Sequence, residues 1–211
     1  MSQISLPFDW PGQGTDEDFL VSDANRIAVR HLEGWRGWPL AISVLTGPPL
    51  SGRSILGRRF AGMSGGFVID DAEGQDERTL FNAWNDAQTT RRPLLMIGRS
   101  DPAQWTVALA DLRSRLAAVP HVAIGEPDEP LARALIERSL ARMGANYASD
   151  LPDWLLRRIE RRYGTIAEVA RLLNEAALSS GRKISVAMAK EALQAAGFLP
   201  IVVEDPDPST P

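Results

Sequence analysis

At residues 47–54 the chain reads Gly-Pro-Pro-Leu-Ser-Gly-Arg-Ser, between an apolar run and a stretch with helical periodicity. The spacing is that of a phosphate-binding loop, GxxxxGKS/T, with Arg53 in place of the lysine. In such a loop, backbone N–H groups at a helix N-terminus surround phosphates, the lysine contacts the outer phosphates and the hydroxyl binds magnesium. Arginine is not a neutral substitute, because its planar fork is bulkier and presents its donors differently. Taken in isolation, the stretch is explained equally well as a glycine-containing turn between a strand and a helix. If it is a phosphate-binding loop, the residues it contributes to a nucleotide site are Gly47, Gly52, Arg53 and Ser54.

A second motif places acidic residues directly after the next apolar run, Gly66–Ile69. The chain continues Asp70-Asp71-Ala72-Glu73. P-loop proteins hold magnesium with an acidic residue at the end of a strand, whereas a strand followed by a polar turn is the common alternative. The two motifs together favour a nucleotide site in which Asp70 is the acidic member.

Apolar runs alternate with helical patterns up to about residue 126, which predicts βαβ units and a mainly parallel sheet. The expected strands are 40–45, 66–69, 94–97 and 121–124, and the expected helices are 24–33, 53–61, 77–88 and 107–116. Only twelve residues separate Ser54 from Phe67, which leaves room for one helix where most P-loop ATPases have a helix, a strand and another helix. We therefore expect a truncated α/β fold of about four strands, because an edge strand can be lost without unpairing the interior of a sheet.

The character of the chain changes after Pro127, where apolar residues recur at the spacing of amphipathic helices. Four helices are expected, at about 131–140, 151–163, 166–177 and 186–196. The predicted organisation is an extended tail at 1–20, an α/β core at 21–126, a helical lobe at 127–197 and a disordered, proline-rich and acidic tail at 198–211.

Composition excludes several classes of function. The 211 residues contain no cysteine and two histidines, so disulfides, thiolate metal sites and cysteine nucleophiles are excluded and a histidine site is disfavoured. The net charge of −4 argues against a protein that coats DNA, since that needs clustered cations. Neither a signal peptide nor a membrane span is evident, which makes a cytoplasmic protein without a membrane partner the expectation. Four arginines of the second expected helix of the lobe form a basic patch there, for which a solvated face paired with acids is the favoured interpretation: Arg157, Arg158, Arg161 and Arg162.

The N-terminus carries a short linear motif, Gln3-Ile4-Ser5-Leu6-Pro7-Phe8. It is similar to the bacterial sliding-clamp-binding motif in its Q-x-x-L-x-F form. In that mode of binding the leucine and the aromatic ring fill an apolar pocket, and the glutamine forms hydrogen bonds beside it. Gln3, Leu6 and Phe8 are therefore the expected clamp-binding residues.

The segment Asp111-Leu112-Arg113-Ser114-Arg115-Leu116 resembles one found in the DnaA initiator family and, within it, in the Hda-type regulators of DnaA. There an L-x-S-R-F/L segment carries an arginine finger that enters the nucleotide site of a neighbour, and Arg115 matches the finger. An amphipathic helix with exposed arginines is the alternative. Further similar segments are Phe19-Leu20-Val21 with Asn25 and Gly181–Val186, so that the resemblance spans about residues 3–196.

The resemblance implies an AAA+ core with a helical lid, and a regulator that uses the clamp and DnaA as partners and meets DNA only through the clamp. It implies weak binding of ADP or ATP, with magnesium left open, and association with the replisome. Where the family has a polar sensor, this chain has Ile97 or Gly98, and Ala167 stands at the position of a second, arginine sensor. We therefore expect no ATPase activity of its own, and an arginine given in trans to DnaA as a negative regulator of initiation. The alternatives are a self-contained P-loop ATPase and a DNA-binding replication adaptor.

Overall fold

The computed structural model describes residues 19–200, and contacts divide these residues into two units between Glu126 and Pro127. Each unit has a hydrophobic core of its own. The predicted tails lie outside the described residues except at 19–20 and 198–200.

The first unit is built on a sheet of four parallel strands in the order β2-β3-β1-β4. The two central strands are buried along their whole length, as the apolar runs indicated, and Val44 lies opposite Met96 on one side and His121 on the other. The predicted truncated parallel sheet is thus confirmed. The strands are β1 (Ile42–Thr46), β2 (Phe67–Ile69), β3 (Leu94–Ile97) and β4 (His121–Ala123).

Four helices accompany this sheet: α1 (Arg26–Glu33), α2 (Arg53–Ser64), α3 (Glu77–Thr90) and α4 (Ala110–Ala118). Helix α3 begins after Asp76, whose carboxylate accepts from the Thr79 N–H at 3.0 Å and so caps the helix. Helix α4 begins three residues later than the pattern predicted, because the Glu77 carboxylate accepts from the backbone N–H groups of Ala108 and Leu109 and holds them in an extended entry.

Only α2 connects β1 to β2, and β2 is an edge strand of this sheet. Its first residue, Phe67, is 42% exposed. The guanidinium of Arg92 stacks on the Phe67 ring at 3.5 Å and donates from Nε to the Gly65 carbonyl at 2.7 Å. A short edge strand covered by a cation is poorly suited to pairing with other chains.

The second unit consists of α5 (Glu129–Arg142), α6 (Leu151–Leu156), α7 (Tyr163–Ser180) and α8 (Val186–Ala195). Their apolar faces meet in a core that includes Ile136, Leu155, Val169 and Leu193. None of the helices in the described part of the chain is long and apolar enough to cross a membrane.

The predicted helix at 151–163 is wrong beyond Leu156. The N–H groups of Arg158 and Ile159 both bond to the Leu155 carbonyl, and the chain turns there as the Ile159 side chain enters the core. The four arginines therefore lie in a connection between α6 and α7, without a common helical face. Arg158 stacks on Trp154, while Arg161 pairs with Glu129 at 3.1 Å and Arg162 with Glu160 at 3.4 Å.

Candidate functional site

The loop at residues 47–54 leads from the carboxyl end of β1 into α2, and its two glycines are required by their surroundings. Gly52 has a φ of +89°, and a Cβ placed on it would lie 2.8 Å from the Phe19 ring. A Cβ on Gly47 would lie 3.0 Å from Cβ of Ile124. A side chain would therefore clash with Phe19 at position 52 and be crowded by Ile124 at position 47, and both positions have a positive φ that other residues rarely adopt.

The segment before α1 packs against this loop through Phe19. Its conformation is set by Asn25, which is 2% exposed and whose amide nitrogen donates to the Leu20 carbonyl at 2.8 Å. The Asn25 side-chain oxygen accepts from the Ser22 N–H at 3.0 Å. Phe19 thus forms part of one wall of the candidate site, and Asn25 fixes the segment that carries it.

Inside the loop the hydroxyl of Ser51 is buried and has no hydrogen-bond partner within residues 19–200. The residue is 5% exposed, and its Oγ would lie 3.2 Å from a Cβ on Gly47. Buried polar groups in folded proteins are nearly always paired, so a loop that leaves one unpaired fits a polar guest such as a phosphate oxygen. Sequence reasoning missed Ser51, because the motif constrains only the first and the last three positions of the loop.

The structure brings Ser54 and Asp70 together. The Ser54 hydroxyl donates to Oδ2 of Asp70 at 2.5 Å, and the Asp71 N–H donates to Oδ1 at 2.9 Å. A hydroxyl beside a carboxylate is the oxygen pair that P-loop proteins offer to magnesium. Asp70, the first acidic residue after β2, therefore lies where the motif predicts, beside Ser54 at the start of α2.

Arg53 does not point into the loop. Its Nη1 donates to the carbonyl of Gly98, at the end of β3. Burial lowers the pKa of the Arg53 guanidinium from its ordinary value, and the negative charge of Asp70 opposes that shift; an arginine remains charged in either case. The cation of the loop is therefore engaged by a backbone carbonyl rather than directed towards a phosphate.

The end of β3 offers no polar side chain at the expected sensor. Ile97 is 1% exposed, and a Cβ on Gly98 would lie 2.5 Å from the Trp105 ring. The indole is fixed there because its N–H donates to the Ser100 carbonyl at 3.0 Å. Serine, threonine and asparagine each need a Cβ, so the space for such a sensor is filled by Trp105. Ala167, at the second sensor position, lies in α7 of the other unit.

We expect Gly98→Ala to lower the free energy of unfolding by about 1–3 kcal/mol, because the methyl group overpacks a well-filled site. Thermal and denaturant unfolding would measure it. Gly62→Ala is the matched control, since a Cβ there meets nothing within 4 Å and helix propensity favours alanine. Equal stability of the Gly98→Ala variant and the wild type would show that the indole can yield.

Arg115, the candidate finger, lies on α4 and is held within its own unit. Its Nε and Nη2 form a two-pronged ion pair with Asp111 at 2.9 and 2.6 Å, and its Nη1 donates to Asn85 of α3 at 2.8 Å. The guanidinium also lies 5.0 Å from the Phe81 ring centre, and the side chain is 30% exposed. Arg113 is more exposed and donates to the Val107 carbonyl at 3.2 Å. Gln3, Leu6 and Phe8, the predicted clamp contacts, lie outside the described residues.

Solved structures similar to this chain include replication initiation proteins and a Holliday junction branch migration motor. Domain III of the Thermotoga maritima initiator DnaA matches over 86% of this chain and 95% of its own, at 13% identity and a TM-score of 0.69. AMPPCP-bound DnaA from Aquifex aeolicus matches over 89% and 69%, at 14% identity and a TM-score of 0.63. The RuvB branch migration motor of Thermotoga maritima matches over 86% and 71%, also at 14% and 0.63. No protein-family model matches the sequence.

The likeness to both DnaA and RuvB shows that the chain has the fold of an AAA+ domain, with a four-stranded parallel sheet. Within that class the fold is DnaA-like, since the chain covers nearly the whole of the DnaA domain III.

Proposed function

We propose that this chain is a DnaA-related regulator of replication initiation, of the Hda type, that does not hydrolyse nucleotide itself. It docks on the sliding clamp and stimulates ATP hydrolysis by DnaA with Arg115, which suppresses repeated initiation. The observation that carries the proposal is the engagement of Arg53 by Gly98: the domain keeps an AAA+ fold while the cation of its loop serves a backbone carbonyl.

Catalysis of phosphoryl transfer depends on positioning and on cations that stabilise the charge of the transition state. The polar sensor position is filled by the Trp105 ring, and the loop cation points away. A domain that only supplies an arginine to a partner's nucleotide site needs neither a polar sensor nor a loop cation directed at phosphate. The same losses argue against a self-contained ATPase.

Weak nucleotide binding remains part of the proposal. The loop has glycine at positions 47 and 52, where a Cβ would meet Ile124 and Phe19, and the buried Ser51 hydroxyl lacks a partner among the described residues. The similar DnaA from Aquifex aeolicus was solved bound to AMPPCP. Ser54 and Asp70 are the residues that would hold magnesium, and ADP or ATP would contact the loop through Gly47, Gly52 and Ser51.

The proposed mechanism has two protein partners, the sliding clamp and DnaA. Gln3, Leu6 and Phe8 bind the DNA-loaded clamp, so the chain meets DNA only through it, in the cytoplasm at the replisome. The α/β unit then packs on ATP-bound DnaA, and Arg115 completes the composite site. Three of the four arginines at 157–162 are stacked or ion-paired, and this favours the clamp over direct contact with DNA.

A reconstituted hydrolysis assay tests the proposal. ATP-loaded DnaA is mixed with clamp assembled on DNA, and phosphate release is followed with and without this chain. We expect the chain to accelerate hydrolysis, and to do so far less when the clamp is omitted. Equal rates with and without the chain, in the presence of DNA-loaded clamp, would contradict the proposal.

The purified chain alone is expected to show no steady-state hydrolysis of ATP, because Arg53 is engaged and position 98 has no side chain. Phosphate release and calorimetric titration with ADP and ATP would measure turnover and affinity. Asp70→Asn is the control, since it removes the carboxylate beside Ser54. Turnover that disappears in Asp70→Asn would establish the alternative, a self-contained ATPase.

A further inference from the structure

Every nitrogen of the Arg115 guanidinium has an oxygen acceptor in its own unit. Two of them face Asp111, one turn earlier on α4, and the third faces Asn85 on α3. A phosphate oxygen on a partner cannot be contacted by the same face of the fork while Asp111 holds it. The proposed finger is therefore occupied in the isolated chain.

We propose, on the basis of the function proposed above, that Asp111 is a latch occupying Arg115 until the phosphate of a nucleotide on an AAA+ partner displaces it. Asn85 is a positioning residue that keeps the guanidinium aimed during the exchange. The two oxygens of a carboxylate and those of a phosphate are alternative acceptors for the same two-pronged donor. Asp111 thus occupies the fork in the way that phosphate later does.

The exchange is feasible because the latch is weak and faces solvent. The side chain of Asp111 is 53% exposed and that of Arg115 is 30% exposed. Ion pairs of this kind, one helical turn apart and in contact with water, contribute little, because water solvates both charges when they separate. A nucleotide phosphate carries more negative charge than one carboxylate and outcompetes it.

Asn85 differs from Asp111 in charge and in anchorage. Its amide is neutral, so it does not compete with phosphate, and it lies on α3, which packs in the same core as α4. The Phe81 ring of α3 contacts the guanidinium as well. Glu77 joins the two helices at their start, since its carboxylate accepts from the N–H groups of Ala108 and Leu109 at 2.6 and 2.8 Å. Helix α3 thus holds the Arg115 guanidinium in the same orientation after its ion pair with Asp111 has broken.

The proposed roles of Asp111 and Asn85 predict changes in two different quantities of the hydrolysis assay with ATP-loaded DnaA and DNA-loaded clamp. Asp111→Asn should lower the concentration of chain needed for half-maximal stimulation roughly two- to fivefold and leave the maximal rate unchanged, because a larger fraction of the chain is competent. Asn85→Ala should lower the maximal rate on the order of tenfold, with the half-maximal concentration unchanged, because the cation is misdirected. Asn85→Asp keeps an oxygen in the same place but adds a negative charge. It should therefore restore most of the maximal rate and raise the half-maximal concentration, as a second carboxylate latch would, and a purely structural role of Asn85 predicts no such combination.

The controls separate this inference from the proposed function. Glu175→Gln removes a similar exposed ion pair, to Arg171 of α7, and should change neither quantity. If Arg115→Ala stimulates as well as the wild type, the proposed function fails. If Arg115→Ala is inactive while Asp111→Asn and Asn85→Ala both match the wild type in both quantities, the proposed function stands and the latch is overturned. An increase in the half-maximal concentration for Asp111→Asn would likewise overturn it.

Discussion

Replacing Arg115 by alanine is expected to remove most of the stimulation of DnaA ATP hydrolysis. An arginine supplied in trans contributes on the order of 10³–10⁵ to the rate of phosphoryl transfer, because its charge meets the negative charge that develops on the transferred group. Arg115→Lys should restore only part of the effect, since an ammonium group cannot reproduce the two-pronged fork. The rate of phosphate release from ATP-loaded DnaA, at saturating concentration of each variant, is the measurement.

The substitution should not unfold the protein. Arg115 is held by a partly exposed ion pair and one bond to Asn85, and exposed pairs are worth at most about 1 kcal/mol. Clamp binding should also be unchanged. Arg113→Ala provides the internal control and should have a mild effect at most, through the interface. Full loss in Arg113→Ala together with wild-type stimulation by Arg115→Ala would move the finger by two residues, and wild-type stimulation by both would refute the mechanism.

The double substitution of Leu6 and Phe8 by alanine is expected to weaken binding to the sliding clamp by a few kcal/mol, because anchors in apolar pockets dominate the affinity of short peptides. At about 1.4 kcal/mol per tenfold change, this amounts to at least a hundredfold higher dissociation constant. A titration of the full chain against clamp measures it. Ile4→Ala and Ser5→Ala change positions that the motif leaves open, so they should bind as the wild type does. Unchanged affinity of the double variant would remove the clamp from the proposal.

The sequence allowed the strands and most helices to be predicted, because their signals are local. Apolar runs at residues 94–97 and 121–124 became β3 and β4, and the short spacing between Ser54 and Phe67 revealed the truncated sheet. The phosphate-loop spacing likewise located the turn between β1 and α2. In each case the residues that carry the signal are adjacent in the chain.

Features that depend on distant contacts could not be predicted. The pattern at 151–163 continues through a helical period, but the burial of Ile159 turns the chain after Leu156. The Arg53 bond to Gly98 joins residues 45 positions apart, and the bond from Arg115 to Asn85 spans 30. No periodicity or motif in one sequence encodes such partners.

The indole of Trp105 against Gly98 also limits how this domain could change by mutation. A polar side chain at residue 98 is obstructed as long as the tryptophan stays, and a smaller residue at 105 leaves a cavity as long as the glycine stays. Each single step towards a sensor at the end of β3 therefore passes through a destabilised protein. A polar side chain at this position therefore requires both residues to change together, so single substitutions will rarely introduce one.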